Sequence, residues 1–178
     1  MSGAEVLRVL DALDGSGIGA GITGGWGIDA LLGRQTRVHA DLDLGIATEA
    51  VADAIEALGR AGYRVSLDER PARVVLEGEA GRGDLGRVDI HPIAWTPAGG
   101  VQRGPPGEVF EYPPGSLDAE GVIAGRTVRC GTPDLQLAFH AHYEPRDHDR
   151  RDMAALADTF GLSLPPAYRD RSTEPKRR

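Results

Sequence analysis

Three carboxylates, Asp41, Asp43 and Asp89, are the residues of this chain best suited to chemistry. Asp41-Leu42-Asp43-Leu44 alternates polar and apolar. Side chains at i and i+2 of a strand leave the same face, so the two acids stand side by side. Paired carboxylates supply the hard oxygen ligands that one or two Mg²⁺ ions take. Ions held that way bridge triphosphate oxygens and steady the charge on attacking and leaving oxygens. Asp89, between Val88 and Ile90, belongs to another strand and supplies a third ligand or a proton acceptor for a substrate hydroxyl. Upstream, Thr23-Gly24-Gly25 opens a helix. Glycines let backbone N–H groups approach a phosphate, and a helix N-terminus favours an anion. Arg34 and Arg37 follow, with side chains suited to phosphate. Each part has a plainer reading. A glycine pair is usually a turn, an Asp-x-Asp pair a solvated strand end, and a basic pair a surface feature. The succession strand, glycines, helix, loop, acidic strand and distant aspartate is far more specific than any part.

The elements that must position these groups read as follows. Val6, Leu10 and Leu13 have helical spacing. Residues 18–23 read as a short strand and 26–32 as a helix closed by Gly33. A strand over 41–47 presents Leu42, Leu44 and Ile46 on its apolar face. Val51, Ile55 and Leu58 mark a helix; 63–67, 72–77 and 87–93 read as strands, the last carrying Asp89 and His91 on one face. The Pro- and Gly-rich stretch 96–114 reads as a loop, over a binding site or on the surface. Residues 122–130 suggest a hairpin turning at Ala124-Gly125. Thr132-Pro133 is an N-cap with proline at the first helical position, opening a helix to about Tyr143. A second helix spans about 147–160. The expected organisation is a core over 1–130, a helical extension over 131–164 and a flexible tail over 165–178.

Composition narrows the function classes. The chain has 178 residues, 40% of them hydrophobic, enough to bury a core. No apolar stretch approaches the roughly 20 residues of a membrane span. The first ten residues, with Glu5 and Arg8, do not resemble a secretory signal, and a cytoplasmic location is expected. Cys130, the single cysteine, reads as a buried small hydrophobe. The net charge of −7 argues against nonspecific nucleic-acid binding and suits a cationic substrate, although solubility alone explains it equally well.

His140, His142, Asp147, His148 and Asp149 crowd together, which raises a metallohydrolase reading. On one helix His140 and His142 point about 200° apart, so sharing an ion is disfavoured. Packing, capping, or substrate contacts through Tyr143, Glu144 and Asp149 fit better. Trp26, at a helix start, reads as a packing anchor before a base-stacking platform.

The runs Gly24-Gly25-Trp26-Gly27-Ile28-Asp29-Ala30-Leu31-Leu32-Gly33-Arg34 and Thr36-Arg37-Val38-His39-Ala40-Asp41-Leu42-Asp43-Leu44 resemble the signature of the DNA polymerase β-like nucleotidyltransferase superfamily. Within it they are similar to the small antibiotic-modifying branch, the aminoglycoside 2″-adenylyltransferases and small lincosamide nucleotidyltransferases. The resemblance resumes at Arg87-Val88-Asp89-Ile90-His91-Pro92 and at Gln136 to Arg146, then Asp149 and Asp152. It implies an α/β (α+β) fold, a polymerase β-like mixed sheet flanked by helices with a C-terminal two-helix extension. It implies Asp41, Asp43 and Asp89 as catalytic metal ligands, Asp89 as general base, and Thr23, Gly24, Gly25, Arg34 and Arg37 at the nucleotide. The cofactor implied is Mg²⁺, with ATP or another NTP as co-substrate. The implied reaction moves a nucleoside monophosphate, AMP foremost, to an antibiotic hydroxyl. Acidity and the Glu108–Glu111 segment point to an aminoglycoside ahead of a lincosamide. A protein or tRNA acceptor, and a non-catalytic nucleotide-binding module, stay open, as does homodimerisation.

Overall fold

The computed structural model describes residues 1–79, 86–104 and 107–168. Its elements are α1 (Gly3–Asp14), β1 (Ala20–Thr23), α2 (Gly24–Leu32), β2 (Asp41–Ala47), α3 (Val51–Arg60), β3 (Tyr63–Glu69), β4 (Arg73–Gly78), β5 (Arg87–Thr96), β6 (Gly99–Arg103), β7 (Val109–Tyr112), β8 (Ala119–Ile123), β9 (Arg126–Cys130), α4 (Pro133–His140) and α5 (Asp147–Phe160). Local chemistry sets many of these boundaries. Ser2 caps α1 by accepting from the Glu5 N–H, and Thr132 caps α4 by accepting from the Leu135 N–H. Gly33 and Gly161 end α2 and α5 in the left-handed conformation, with φ of 67° at each. Ala124 and Gly125, both at positive φ, make the tight turn between β8 and β9 that right-twisted strands prefer.

The strands form a mixed sheet in the order β3-β4-β5-β2-β1-β9-β8. β2 and β5 run parallel at its centre, while β1 and β2 are antiparallel. Leu42, Leu44 and Ile46 join Val6, Val9 and Leu13 of α1 and Ala54 and Leu58 of α3 in the main core. That burial of aliphatic surface fixes which face of β2 points inward, and so turns Asp41 and Asp43 to the other side. A smaller cluster ties Ile28 of α2 to Met153 and Leu156 of α5 and to Tyr168. The lone cysteine, Cys130, is buried, and burial pushes its thiol up to about 11.

Three features depart from the sequence-based expectations. The stretch 96–114 holds β6 and β7, a hairpin that extends from the outer half of β5. Its Pro and Gly residues punctuate the strands without displacing them. α4 ends at His140, three residues before the expected Tyr143. The expected tail begins with a 3-10 turn, Pro166–Tyr168, docked through buried Tyr168, whose hydroxyl donates to the His140 carbonyl at 2.9 Å. The rest of that tail, 169–178, lies outside the described residues.

Candidate active site

The parallel register of β2 and β5 sets Asp43 beside Asp89 and Asp41 beside Arg87. On the other side, β1 sets Thr23 beside Asp43. One cross-section of the sheet therefore carries Thr23, Asp43 and Asp89 in a row. The chain leaves β1 directly into α2, so Gly24 and Gly25 open the helix against that row. Gly24 has φ of 61°, and a Cβ there would overlap Oδ2 of Asp43. A side chain on Gly25 would meet His39 Nδ1 and Arg37 Nη2. Glycine is thus required on both counts where the backbone must approach a ligand.

The acids are restrained by neighbours. Arg87 donates to Asp41, and its Nε lies 2.9 Å from Asp89 Oδ1, an ion pair without hydrogen-bond alignment. His91 Nε2 is 3.1 Å from Asp43 Oδ1. Behind it Gln102 Nε2 is 3.0 Å from His91 Nδ1, and the Tyr112 hydroxyl donates to Gln102 Oε1 at 2.8 Å. Burial pushes the Asp89 carboxyl above its ordinary value, and the Asp43 charge adds to this against the pull of Arg87. Burial also acts to raise Asp43, but the His91 hydrogen bond and nearby positive charge outweigh it and leave Asp43 below its ordinary value. A carboxyl held up beside one held down suits a proton acceptor next to a ligand.

The loop between α2 and β2 is fastened from beneath. Asp29 and His39, each 2% exposed, meet at 2.5 Å, and Thr36 donates to Asp29 through its N–H at 3.0 Å and its hydroxyl at 2.5 Å. Burial opposes the Asp29 charge, and the His39 and Thr36 hydrogen bonds more than offset it, holding the carboxyl below its ordinary value. Asp152 of α5 accepts from Arg37 Nε at 3.0 Å. These contacts bring Arg37 over Gly25.

A cleft of about 780 Å³ opens over Asp41 and Asp43. Thr23, Gly24, Gly25, Arg37, Asp41 and Asp43 line it, as do Tyr143 and Asp149. Three predicted residues do not join them. Asp89, 5% exposed, stands beside Asp43 in the sheet without lining the cleft. Arg34 borders a separate small depression beside Trp26, because the left-handed Gly33 turns the chain away. The Glu144 side chain is 91% exposed and only approaches Arg150, at 3.8 Å. Glu111 lines a second cavity and not this cleft, so the segment Glu108–Glu111 lends the aminoglycoside expectation no local support. Trp26 is buried and packs 4.8 Å from the His39 ring, as a packing anchor does.

Sequence reasoning gave no site role to Arg87, His91, Gln102, Tyr112 or Gln136. Strand periodicity sets His91 on the face of Asp89, and the same two-residue step places Arg87 there too. Gln136 lines the cleft with both amide atoms buried and unpaired, a costly state that a polar ligand relieves. Nothing in its sequence context signals this. The crowded histidines separate: His140 Nδ1 bonds the Gln136 carbonyl at 2.8 Å, His142 packs on Phe110, and His148 lies 3.3 Å from Asp149. Among the described residues no group of three or more His, Cys, Asp or Glu converges on one point. Arg87 pairs with both Asp41 and Asp89.

A mixed sheet that aligns an Asp-x-Asp strand, a third aspartate and a glycine-opened helix defines a nucleotidyltransferase. Comparison with known proteins agrees. Residues 5–156 match the family model described as aminoglycoside-2″-adenylyltransferase, and the chain belongs to that family. A lincosamide resistance protein of Staphylococcus haemolyticus is 29% identical over 85% of this chain and 92% of its own length. A 2″-aminoglycoside nucleotidyltransferase of Escherichia coli is 36% identical over 78% of this chain and 72% of its own. The crystal structure of the lincosamide antibiotic adenylyltransferase LnuA, lincomycin-bound, superposes with a TM-score of 0.74 at 28% identity, covering 86% of this chain and 94% of that one. That of ANT(2″)-Ia in complex with adenylyl-2″-tobramycin gives 0.72 at 26% identity, covering 89% of each.

Proposed function

We propose that this enzyme moves AMP from ATP to a hydroxyl of an antibiotic. The observation that carries the proposal is the sheet row Thr23–Asp43–Asp89, whose Thr23 and Asp43 line one cleft together with the glycine-opened end of α2. Asp41, Asp43 and Asp89 are hard oxygen donors on one sheet face and would hold Mg²⁺ in place of the Arg87 guanidinium that pairs with Asp41 and Asp89. Mg²⁺ bound by these three supplies charge neutralisation for the triphosphate. Gly24, Gly25 and Arg37 hold phosphate oxygens, and the unpaired Gln136 amide takes a polar group of the nucleotide. The acceptor oxygen attacks the α-phosphorus in line. Its proton passes to Asp89, the bond to the bridging oxygen breaks, and pyrophosphate leaves. The raised Asp89 value suits a general base.

The acceptor half of the cleft favours a lincosamide. Its wall comprises Gln102, Gly104, Phe110, Tyr112 and Phe139, with no charge among them. Glu69, at the edge, is already paired with Arg73 at 3.0 Å. A polycation needs free carboxylates; an amphiphilic thiosugar amide needs apolar walls and an amide. The aminoglycoside reading keeps two supports, the net charge of −7 and Asp149 in the cleft. We place the enzyme in the cytoplasm, where ATP is supplied; no helix among the described residues is long and apolar enough to cross a membrane.

The test is incubation with Mg²⁺, each NTP and a panel of lincosamides and aminoglycosides, following pyrophosphate and acceptor mass. The expected result is one added AMP on a lincosamide, absent with Asp89→Ala. Modification of aminoglycosides alone would reverse the acceptor assignment. Failure to bind any NTP would sink the proposal.

A further inference from the structure

We propose that Tyr112, Gln102 and His91 form a proton-ordered relay that fixes the orientation of the Asp43 carboxylate for metal binding; this rests on the metal role proposed for Asp43. The order follows from the donors. Tyr112 is 1% exposed, and its hydroxyl donates to Gln102 Oε1. If the amide were turned the other way, its NH₂ would face that hydroxyl and leave the buried phenol proton without an acceptor. The amide orientation is therefore fixed by the phenol. Gln102 then presents its NH₂ to His91 Nδ1, at 3.0 Å, so Nδ1 carries the lone pair and the ring proton sits on Nε2. Nε2–H donates to Asp43 Oδ1 at 3.1 Å.

With Oδ1 engaged, the carboxylate cannot spin. Oδ2 is left directed at Gly24, where a Cβ would overlap it and where the proposed phosphates sit. The relay spans two strand systems: Asp43 and His91 lie on the central pair β2 and β5, Gln102 and Tyr112 on the hairpin β6–β7. That hairpin also forms the acceptor wall, through Gln102, Phe110 and Tyr112. His91, Gln102 and Tyr112 are thus positioning residues, acting through Asp43. A carboxylate oriented by an imidazole N–H is a recognised way to tune a metal ligand, with losses of about 10–100-fold in affinity when the outer partner is removed.

Two measurements on the full chain without substrate test this. The first is the His91 tautomer by long-range ¹H–¹⁵N NMR, assigned by loss of the signals in His91→Gln. The second is Mn²⁺ affinity by EPR of the free ion. The relay predicts protonated Nε2 and bare Nδ1 in the wild type. In Tyr112→Phe, which keeps the ring and the packing, the single tautomer is lost and Mn²⁺ binding weakens roughly tenfold. Gln102→Leu has the same effect. His91→Gln, which keeps a donor for Asp43, binds Mn²⁺ more tightly than His91→Leu. Protonated Nδ1 in the wild type, or unchanged tautomer and affinity in Tyr112→Phe, would overturn the relay while leaving the metal site standing. Equal Mn²⁺ affinity in the wild type and Asp41→Asn would instead overturn the carboxylate site, and the relay's role with it.

Discussion

Asp89 pays in stability for its place beside two other acids. Burial and then the Asp43 charge disfavour its anion, with Arg87 in partial opposition. Its value in the folded protein lies above that of the unfolded chain. The stability it contributes is therefore complete below the unfolded value, near pH 4, and is lost as pH rises through the folded value. Asp89→Asn is expected to abolish turnover and raise Tm at pH 7, with the gap to wild type closing at pH 4. Thermal melts at the two pH values check this; a pH-independent gap would refute it. Gly24 gives a second residue-scale prediction. With φ of 61° and no room for a Cβ beside Asp43, Gly24→Ala should lower kcat/KM by at least about 100-fold, the scale of a 1 Å misplacement. Steady-state kinetics beside an unchanged circular dichroism spectrum would show it. The aspartates were legible because alternation in Asp41-Leu42-Asp43-Leu44 assigns them a face. Gln102 and Tyr112 were not, since they sit in a Pro- and Gly-rich stretch whose strands are fixed by pairing with β5.

Among the elements, the connection from α2 to β2 shows how a loop is made rigid. Asp29 reaches from α2 to His39 and Thr36, and Asp152 of α5 holds Arg37. Removing Asp29 leaves the buried His39 ring and the Thr36 donors without their acceptor, at a cost of about 1–3 kcal/mol. Asp29→Ala should lose about that much stability in denaturant melts and raise the KM for NTP, because Arg37 is released from Gly25. The pH sign is opposite to that of Asp89. The Asp29 value is depressed, so its contribution is present above the unfolded value and lost as pH falls through the folded one. A variant with unaltered stability would show the pair to be dispensable. Helix limits were readable where a residue caps the backbone, as at Thr132 and Gly33. The end of α4 was read too late because its C-cap is Ala141, with no glycine or proline to mark the stop.

For the molecule as a whole, net charge and local lining make different demands on the acceptor. A charge of −7 attracts polycations at long range, an effect that salt screens within about 8 Å at physiological ionic strength. The uncharged acceptor wall predicts instead that kcat/KM for a lincosamide changes little between 20 and 300 mM salt, on the order of two-fold or less. A steep decline for the true acceptor would favour the aminoglycoside. The sheet order was not legible at all, since the pairing of β1 with β9 joins segments about a hundred residues apart. Arg87 has one further consequence. By pairing with Asp41 and Asp89 it gives the acidic cluster a counter-ion carried in the chain itself. The wild type should melt at the same temperature in a chelator as in buffer, whereas Arg87→Ala should lose several degrees in the chelator and recover them with Mg²⁺. With the metal role proposed for these acids, such an enzyme would endure metal starvation intact, and its awakening would be an exchange of one cation for another.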